Sequence, residues 1–472
     1  MEKNKSTTHF ATLVTVFFFW GFLAASNGVF IPFCKGHFNL SQFQSQLIDL
    51  AFYVAYFLGS LSLYLYQRFS SVDLLNKIGY KMGIVYGLII SAVGALTMIG
   101  SITLGNYWLI LASFFLIAMG FSLQQTCAQP FAIALGDPAT GSHRLNLAGG
   151  VNSLGTTVGP IIVAYFLFGS LKGAETVQIS SVNSMYAFLA ALFLGVAFFF
   201  YKSNLPTVTS DEELEPGAGA LKYPQLVLGM IAIFVYVGVE VTIQSNLGAL
   251  LVLPEFGGYA ESNISHFISL YWGSMMIGRW TGSITVFNLS KKWFIALTMI
   301  VPYLAFAVVL GANMIGGSDV SELYIYAAVI PLLVIAIFLG QEKPARTLLI
   351  LSFFGVAAML VGLFTTGQVA VLAFMSGGLF CSVMWPCIFS LAVAGLGKYT
   401  SQGSTFLIMM ILGGAIIPPA QGLLAADDLL GIHQSYWVAV ACFAYLAFYG
   451  YKVSGILKSQ GIDFNQKASG GH

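Results

Sequence analysis

The chain is a succession of long apolar runs separated by short polar or charged breaks, and this pattern restricts it to one solvent. A helix rises about 1.5 Å per residue, so roughly 20 consecutive apolar residues cross the hydrocarbon core of a bilayer. Runs of that length read at 10–34, 43–67, 79–101, 105–135, 145–169, 181–202, 224–252, 262–288, 293–314, 321–340, 347–366, 368–397, 403–424 and 434–456, which predicts fourteen spans. The runs are continuous rather than alternating, so a transmembrane β-barrel is excluded. The first run is too long for a cleavable signal, lacks a clear A-x-A site and holds polar Ser26 and Asn27 in its middle.

Composition agrees. Of 472 residues 58% are hydrophobic and 8% charged, whereas a soluble domain carries about 25% charged residues. The chain could not cover itself with polar surface, and 19 Lys+Arg against 18 Asp+Glu leave no basic field for phosphates. A soluble enzyme, a nucleic-acid binder and a disordered regulator are thereby excluded. The five cysteines, Cys34, Cys127, Cys381, Cys387 and Cys442, lie in or beside apolar runs and form neither a disulfide framework nor a CxxC metal pair.

Cations set the orientation. With the amino terminus in the cytoplasm, sixteen of the nineteen Lys/Arg fall in the terminal segments and even-numbered loops. Only Lys35 and Lys172 fall outside, and Arg279 sits near the inner end of the eighth span. The positive-inside rule then predicts a multi-pass protein of the cell membrane with both termini cytoplasmic. Trp108, Trp293 and Trp437 each open a span, as interfacial anchors do.

The longest polar break, 203–223, contains Pro, Gly and a run of acids and reads as a cytoplasmic linker. It divides six spans in 1–202 from the rest in 224–472. The two parts share a weak repeat. FYVAYFLGS, with Tyr53 and Gly59, matches YWGSMMIGR, with Trp272 and Gly278, 219 residues later. LGTTVGP, ending at Pro160, matches LGGAIIPP, with Pro418, 258 residues later, and Pro130 and Pro386 are 256 apart. The offset therefore grows by about forty residues, the length of a helical hairpin. The expected architecture is all-α, with two pseudo-symmetric six-helix halves and an inserted hairpin at about 293–340.

These residues carry a family resemblance. WGFLAASNGVFIP (20–32), QLIDLAFYVAYFLGS (46–60), GYKMGI (79–84), LQQTCAQPF (123–131), RLNLAGGVNSLGTTVGP (144–160), YVGVEVTIQSNLGALL (236–251), GRWTG (278–282) and the stretch from SVMWPCIFSL to LGGAIIPP resemble the fucose, galactose and glucose proton symporter family of the major facilitator superfamily. Taken in this order the motifs are specific, and they cover nearly the whole chain apart from the inserted pair. The resemblance implies the major facilitator fold and sugar uptake by alternating access.

Two departures bear on coupling. Where the fucose symporter pattern has Asn-Asp in the first span, this chain has Asn27 and Gly28, and Gln125 replaces the Glu of the fourth. Those carboxylates are the family's proton-linked groups, so that role does not carry over to these positions. Gln125 can hydrogen-bond a sugar hydroxyl but cannot titrate.

Only two acids fall well within a span, Asp49 in the second and Glu240 in the seventh. A charge at depth costs at least about 2.5 kcal/mol on insertion scales, so each is a functional candidate. Glu240 lies near the midpoint of its span with Gln244 one turn later. It serves either reversible protonation or, as a permanently neutral or amide-paired group, helix association. Asp49 shares a stripe with Gln46, Tyr53 and Tyr56. It is either a structural, water-exposed group or an oxygen ligand for sodium, and thus a metal-binding residue only if sodium is the coupling ion.

A sugar site combines amides that fork onto neighbouring hydroxyls with an aromatic face against the ring. The candidates are Asn27, Gln125 and Gln129 on one face of the fourth span, Asn152 among the small residues of the fifth, and Gln244 and Asn246 on different faces of the seventh. The resemblance also places Asn at the Asn152 position. Interhelical hydrogen bonding is the alternative use of each amide. Trp385, before the helix break expected at Pro386, is the first candidate for ring stacking, followed by Tyr53 and Trp272.

Two other classes compete. GTTVGP echoes a motif of drug or lipid antiporters, but Ile161 and Ile162 break the glycine-rich continuation and the interior is poor in acids. A membrane enzyme would need a catalytic cluster, and the sequence has no HExxH, no GxSxG and no long water-side loops. The reading is a non-enzymatic, cation-coupled importer of a monosaccharide, a hexose such as glucose, galactose, fucose or mannose. Its partners are the sugar and the lipid bilayer, it acts as a monomer, and it needs no cofactor beyond a co-transported H+ or Na+. The proton, through Glu240, is the first choice and sodium, through Asp49, the alternative.

Overall fold

A computed structural model of the protein describes residues 8–22, 42–70, 72–137, 140–168, 179–207, 217–260, 264–287, 289–426 and 428–462. The side chains of 42–46, 48, 49, 160, 161, 163–168 and 179–181 lie outside that description.

Local chemistry sets the helix starts and stops. α1 covers Thr8–Phe22 and α2 Gln42–Ser70. Asp73 caps α3 (Leu74–Thr103), its Oδ1 accepting from the Leu75 and Asn76 amides at 2.9 and 3.1 Å. Within α3, Gly79 leaves helical geometry at φ 78°, a conformation open to glycine, so the GYKMGI motif marks a kink. Asn106 caps α4 (Tyr107–Ala134) in the same way as Asp73 caps α3. α5 (Gly141–Phe168), α6 (Ile179–Lys202), α7 (Pro224–Val252) and α8 (Ser265–Gly282) follow. α9 (Lys291–Ile315) leads through a 3-10 stretch, Ser321–Ala328, into α10 (Ile330–Gly340). α10 ends on two left-handed non-glycine residues, Gln341 and Glu342, at φ 52° and 61°. Then come α11 (Pro344–Phe364), α12 (Gly367–Cys381), α13 (Met384–Val393), α14 (Thr400–Met409), α15 (Gly413–Leu424), α16 (Gly431–Ser435) and α17 (Trp437–Ser459).

No strand occurs among the described residues. Eleven helical stretches there are long and apolar enough to cross a membrane, including Gly367–Val393 and Gly397–Leu424, which each join two helices. The other three runs read from the sequence correspond to the shorter α1, to α5 and to α8. Trp108, Trp293 and Trp437 are exposed at 64%, 61% and 41%, as side chains facing a lipid interface would be.

The chain divides into two compact units. The first is drawn from Met1–Gly136, Leu154–Tyr223 and Leu396–Leu412, the second from Asp137–Ser153, Pro224–Gly395 and Gly413–His472. In the first unit α3 packs on α4 and α6, and α2 packs on α4. α14, late in the sequence, lies against α2 and α4. Gln402 of α14, fully buried, donates to the Gly217 carbonyl at 3.0 Å and accepts from the Ala220 amide at 2.7 Å, tying the end of the 203–223 stretch to this unit.

In the second unit α11 packs on α12 and α17, and α8 packs on α12. This is the pattern of α3 with α4 and α6, and of α2 with α4. α9 and α10 have no counterpart in the first pattern. They fall in sequence between the equivalents of α2 and α3, with α9 on α8 and α10 on α11. The repeat is therefore visible in packing as well as sequence, with Lys291–Gly340 as the inserted hairpin. Glycines make the equivalent approaches: a Cβ on Gly59 would stand 3.0 Å from the Ser122 side chain, and one on Gly278 would overlap the Ser382 side chain.

The helix break expected at Pro386 lies upstream of it. α12 stops at Cys381 and α13 starts at Met384, so Pro386 sits in the first turn of the second helix. The reason is steric and electrostatic: a proline ring clashes with the carbonyl four residues earlier and offers it no N–H. For Pro386 that carbonyl belongs to Ser382.

Candidate functional site

Each unit gathers its own set of polar side chains. In the first, consecutive amides on α4 point to different faces. Gln124 accepts from Trp20 Nε1 at 2.8 Å and donates to Ser91 Oγ at 3.1 Å, a buried bond set that joins α1, α3 and α4. Gln125 is half-buried and donates to the Tyr56 hydroxyl at 2.9 Å. Tyr53, also half-buried, is one turn from Tyr56 on α2. Gln129 is buried one turn beyond Gln125, and its Oε1 has no hydrogen-bond partner among the described residues. Tyr53, Gln125 and Gln129 thus share this unit, with Tyr56 as a direct ligand of Gln125 that the sequence suggested only as a stripe neighbour of Asp49. Asn27 lies outside the described residues. Asp49 is within α2, but its side chain lies outside the description.

The second unit holds the embedded acid. Glu240, on α7, has its side chain 13% exposed, and Arg279 Nη2 of α8 lies 3.8 Å from Glu240 Oε1. Arg279 makes two further contacts: Nη1 donates to Ser153 Oγ at 2.9 Å and Nε donates to the Ser382 carbonyl at 3.2 Å. The carbonyl freed by Pro386 thus takes its proton donor from an arginine on a neighbouring helix. Tyr271 donates to the Glu240 backbone carbonyl at 2.7 Å, fixing α7 against α8 at this level. Tyr236, one turn before Glu240, is fully buried and faces both Glu240 and Arg279.

Trp385, half-buried on α13, lies 6.0 Å from Tyr236 between ring centroids and 6.3 Å from Phe389. The expected stacking residue therefore already packs against two aromatic neighbours. Gln244 and Asn246 are half-buried on α7. Asn152 is half-buried and, though on α5, belongs to the second unit with the rest of Asp137–Ser153. Trp272 is exposed at 36%, edge-on to Tyr271.

Arg279 is the residue the sequence reading used only to assign sidedness. The sequence carries a signal: a cation inside GRWTG of an apolar helix requires a partner, and Glu240 is one of the two acids embedded in a span. Such a pair can hold two charges away from water, give up its attraction when the carboxylate takes a proton, and offer hydrogen bonds to a polyol. A lone embedded carboxylate could take up a proton and accept hydrogen bonds, but it would have no counter-ion to hold its charge.

No family model matches the chain. Among curated proteins it is 33% identical over 443 residues to the glucose/galactose transporter of Brucella abortus, covering 93% of this chain and 92% of that one. It is 30% identical over 465 residues to the putative glucose/galactose transporter of Helicobacter pylori, covering 96% and 98%. The L-fucose-proton symporter of Escherichia coli is 26% identical over 459 residues, covering 92% and 90%. The crystal structure of that organism's fucose:proton symporter, in a point variant, superposes with a TM-score of 0.72 at 23% identity, covering 94% of this chain and 98% of that one. A second structure of it, described as a major facilitator transporter in the outward conformation, gives 0.71 at 24% identity. These two likenesses establish the fold; the sequence relatives establish the kinship. The chain is a multi-pass membrane transporter, not an enzyme, and it belongs to the fucose, galactose and glucose symporter family of the major facilitator superfamily.

Proposed function

We propose that the protein imports a monosaccharide, a hexose such as glucose, galactose, fucose or mannose, by symport with a proton through alternating access. The observation that carries the coupling assignment is the Glu240–Arg279 pair, an embedded carboxylate facing a guanidinium at 3.8 Å. Placing either charge at bilayer depth costs about 2.5–3.5 kcal/mol on insertion scales, which structural packing alone does not reward. Protonation of Glu240 removes the attraction, so the arrangement has two electrostatic states that a proton gradient can populate in turn. The names of the relatives, glucose/galactose transporter and L-fucose-proton symporter, support a sugar as cargo and a proton as driving ion.

In this reading Gln125 with Tyr56, Gln129, Asn152, Gln244 and Asn246 supply hydrogen bonds to hydroxyls. Tyr53 and Trp385 supply apolar ring faces, and Asn27 joins the amides. The protein acts as a monomer in the bacterial inner membrane with both termini cytoplasmic.

Uptake of labelled glucose, galactose, fucose and mannose into proteoliposomes, with proton and sodium gradients imposed separately, tests this. Accumulation driven by the proton gradient, lost in Glu240→Gln while counterflow exchange persists, is the expected result. Accumulation unaffected by Glu240→Gln overturns it. Accumulation that follows sodium and is lost in Asp49→Asn transfers the role to Asp49.

A further inference from the structure

Arg279 offers one guanidinium to three stretches of chain: Glu240 on α7, the Ser382 carbonyl before α13, and Ser153 at the end of Asp137–Ser153. That last segment is fastened to the end of α8 by neutral contacts as well. Trp280 Nε1 donates to the Gly150 carbonyl at 3.1 Å. A Cβ on Gly149 would stand 3.3 Å from Arg279 Cδ, and one on Gly150 2.9 Å from Trp280 Cδ1, so two glycines permit the close fit. The fit is incompletely satisfied, because the buried Asn146 Oδ1 has no hydrogen-bond partner among the described residues. Exposure to water would supply one.

A guanidinium cannot shed its proton in a protein, so if its counter-ion is neutralised the charge stays and must be solvated another way. We propose that Arg279 is a positioning residue that transmits the charge state of Glu240 to the segment Asp137–Ser153. With Glu240 ionised, the guanidinium is held in place and Ser153 is docked. With Glu240 protonated, the uncompensated guanidinium favours arrangements in which water reaches it, and the segment releases. This rests on Glu240 being the coupling acid.

Other titratable groups surround the pair. Tyr236 on α7, Tyr271 on α8 and Cys381 on α12 face Glu240. On the segment itself, His143 reaches the backbone of Gly282 and Glu342 and faces the Glu342 carboxylate and Arg144. A pH response from His143 would survive neutralisation of Glu240, which separates the two sources.

The test is the reactivity of a cysteine introduced at the fully buried Ala148. Full-length Ala148→Cys protein in proteoliposomes is labelled with N-ethylmaleimide, without sugar, on either side of neutrality. Each rate is divided by that of the unfolded protein at the same pH and corrected for the native cysteines. The normalised rate is expected to be at least about five-fold higher on the acid side, the lower end of ordinary coupling between sites. Adding Glu240→Gln should give the fast rate at both pH values, and so should Ser153→Ala. Arg279→Lys, which keeps the charge but not the planar fork that spans three partners, should abolish the pH step. Equal rates at both pH values, or a pH step that survives Glu240→Gln, overturn the proposal. Labelling reads the switch without transport. If Glu240→Gln abolishes proton-driven accumulation but leaves labelling unmoved, only the role of Arg279 fails. If accumulation is unaffected, the coupling assignment itself fails.

Discussion

Ser404 Oγ donates to the Thr126 carbonyl at 2.8 Å, filling the acceptor that Pro130 leaves without a helical partner. Pro130 and Pro386 are repeat-equivalent, and so are Thr126 and Ser382, each pair 256 residues apart. Both halves therefore carry a proline-freed carbonyl four residues upstream, and in each a side chain from another helix fills it. The first half uses a hydroxyl and the second a guanidinium.

The hydroxyl case gives a clean thermodynamic cycle. Ser404→Ala in the buried first unit should cost about 1–3 kcal/mol by leaving the Thr126 carbonyl unpaired. In a Pro130→Ala background, where residue 130 regains its N–H, the same change should cost measurably less. Thermal unfolding of the four proteins in detergent reads the difference. Equal costs in both backgrounds would show that the serine serves something other than this carbonyl.

The Glu240–Arg279 pair should respond asymmetrically to truncation. Arg279→Gln leaves a carboxyl that can neutralise itself by taking up a proton, whereas Glu240→Gln leaves a permanent cation. Breaking a buried pair costs about 3–5 kcal/mol, and the larger loss is expected for Glu240→Gln, with the double variant partly restored. Thermal midpoints at neutral pH decide the order. Additive losses would remove the interaction.

Stability should fall as pH rises through the titration of Asp73. Burial pushes its carboxyl above the ordinary carboxylate value, against the lowering by hydrogen bonds from the Asn76 amide, the Ser401 hydroxyl and the Leu75 amide. Its pKa in the folded protein therefore exceeds that of the unfolded chain, near 3.9. The penalty is absent below the unfolded value, grows as pH rises to the folded one, and is constant above it. Asp73→Asn keeps a helix-capping oxygen and should flatten this slope without loss at neutral pH. Asp73→Ala should lose about 1 kcal/mol of capping. Unfolding midpoints across mildly acidic pH test both.

Packing of α8 on α12 should depend on residue 278 being glycine. Gly278→Ala places a Cβ into the Ser382 side chain, including its Cβ, which cannot rotate away. Overpacking of this kind costs about 1–3 kcal/mol, and Ser382→Gly in the same protein should recover part of it, since Arg279 binds the backbone carbonyl at that position. The yield of monodisperse protein and its melting temperature report the rescue.

Much of the fold was legible because bilayer thickness sets helix length, and apolar runs state that length directly. The inserted hairpin was legible too, through the growth in offset between Gly59 with Gly278 and Pro130 with Pro386. The Glu240–Arg279 contact was not, because 39 residues and a helix reversal separate them and no periodicity links positions on different helices. Nor was the place of Asn152. Residues Asp137–Ser153 pack with the second unit, whereas the sequence assigns α5 to the first half. The helix break moved from Pro386 to 382–383 because a proline disrupts the turn before it, a rule of chain geometry that hydropathy does not carry.

The grip of Gln402 on Gly217 and Ala220 also changes how the long polar stretch before α7 should be regarded. With Gly217 and Ala220 held, only residues 221–223 lie between these bonds and the start of α7 at Pro224. That stretch is short, and the residue before a proline is confined to extended geometry, as Tyr223 is at φ −92° and ψ 110°. Extra length added upstream of Gly217 is therefore not passed on to α7 while Gln402 holds. An insertion upstream of Gly217 should leave transport untouched, whereas one at 223–224 would displace the start of α7.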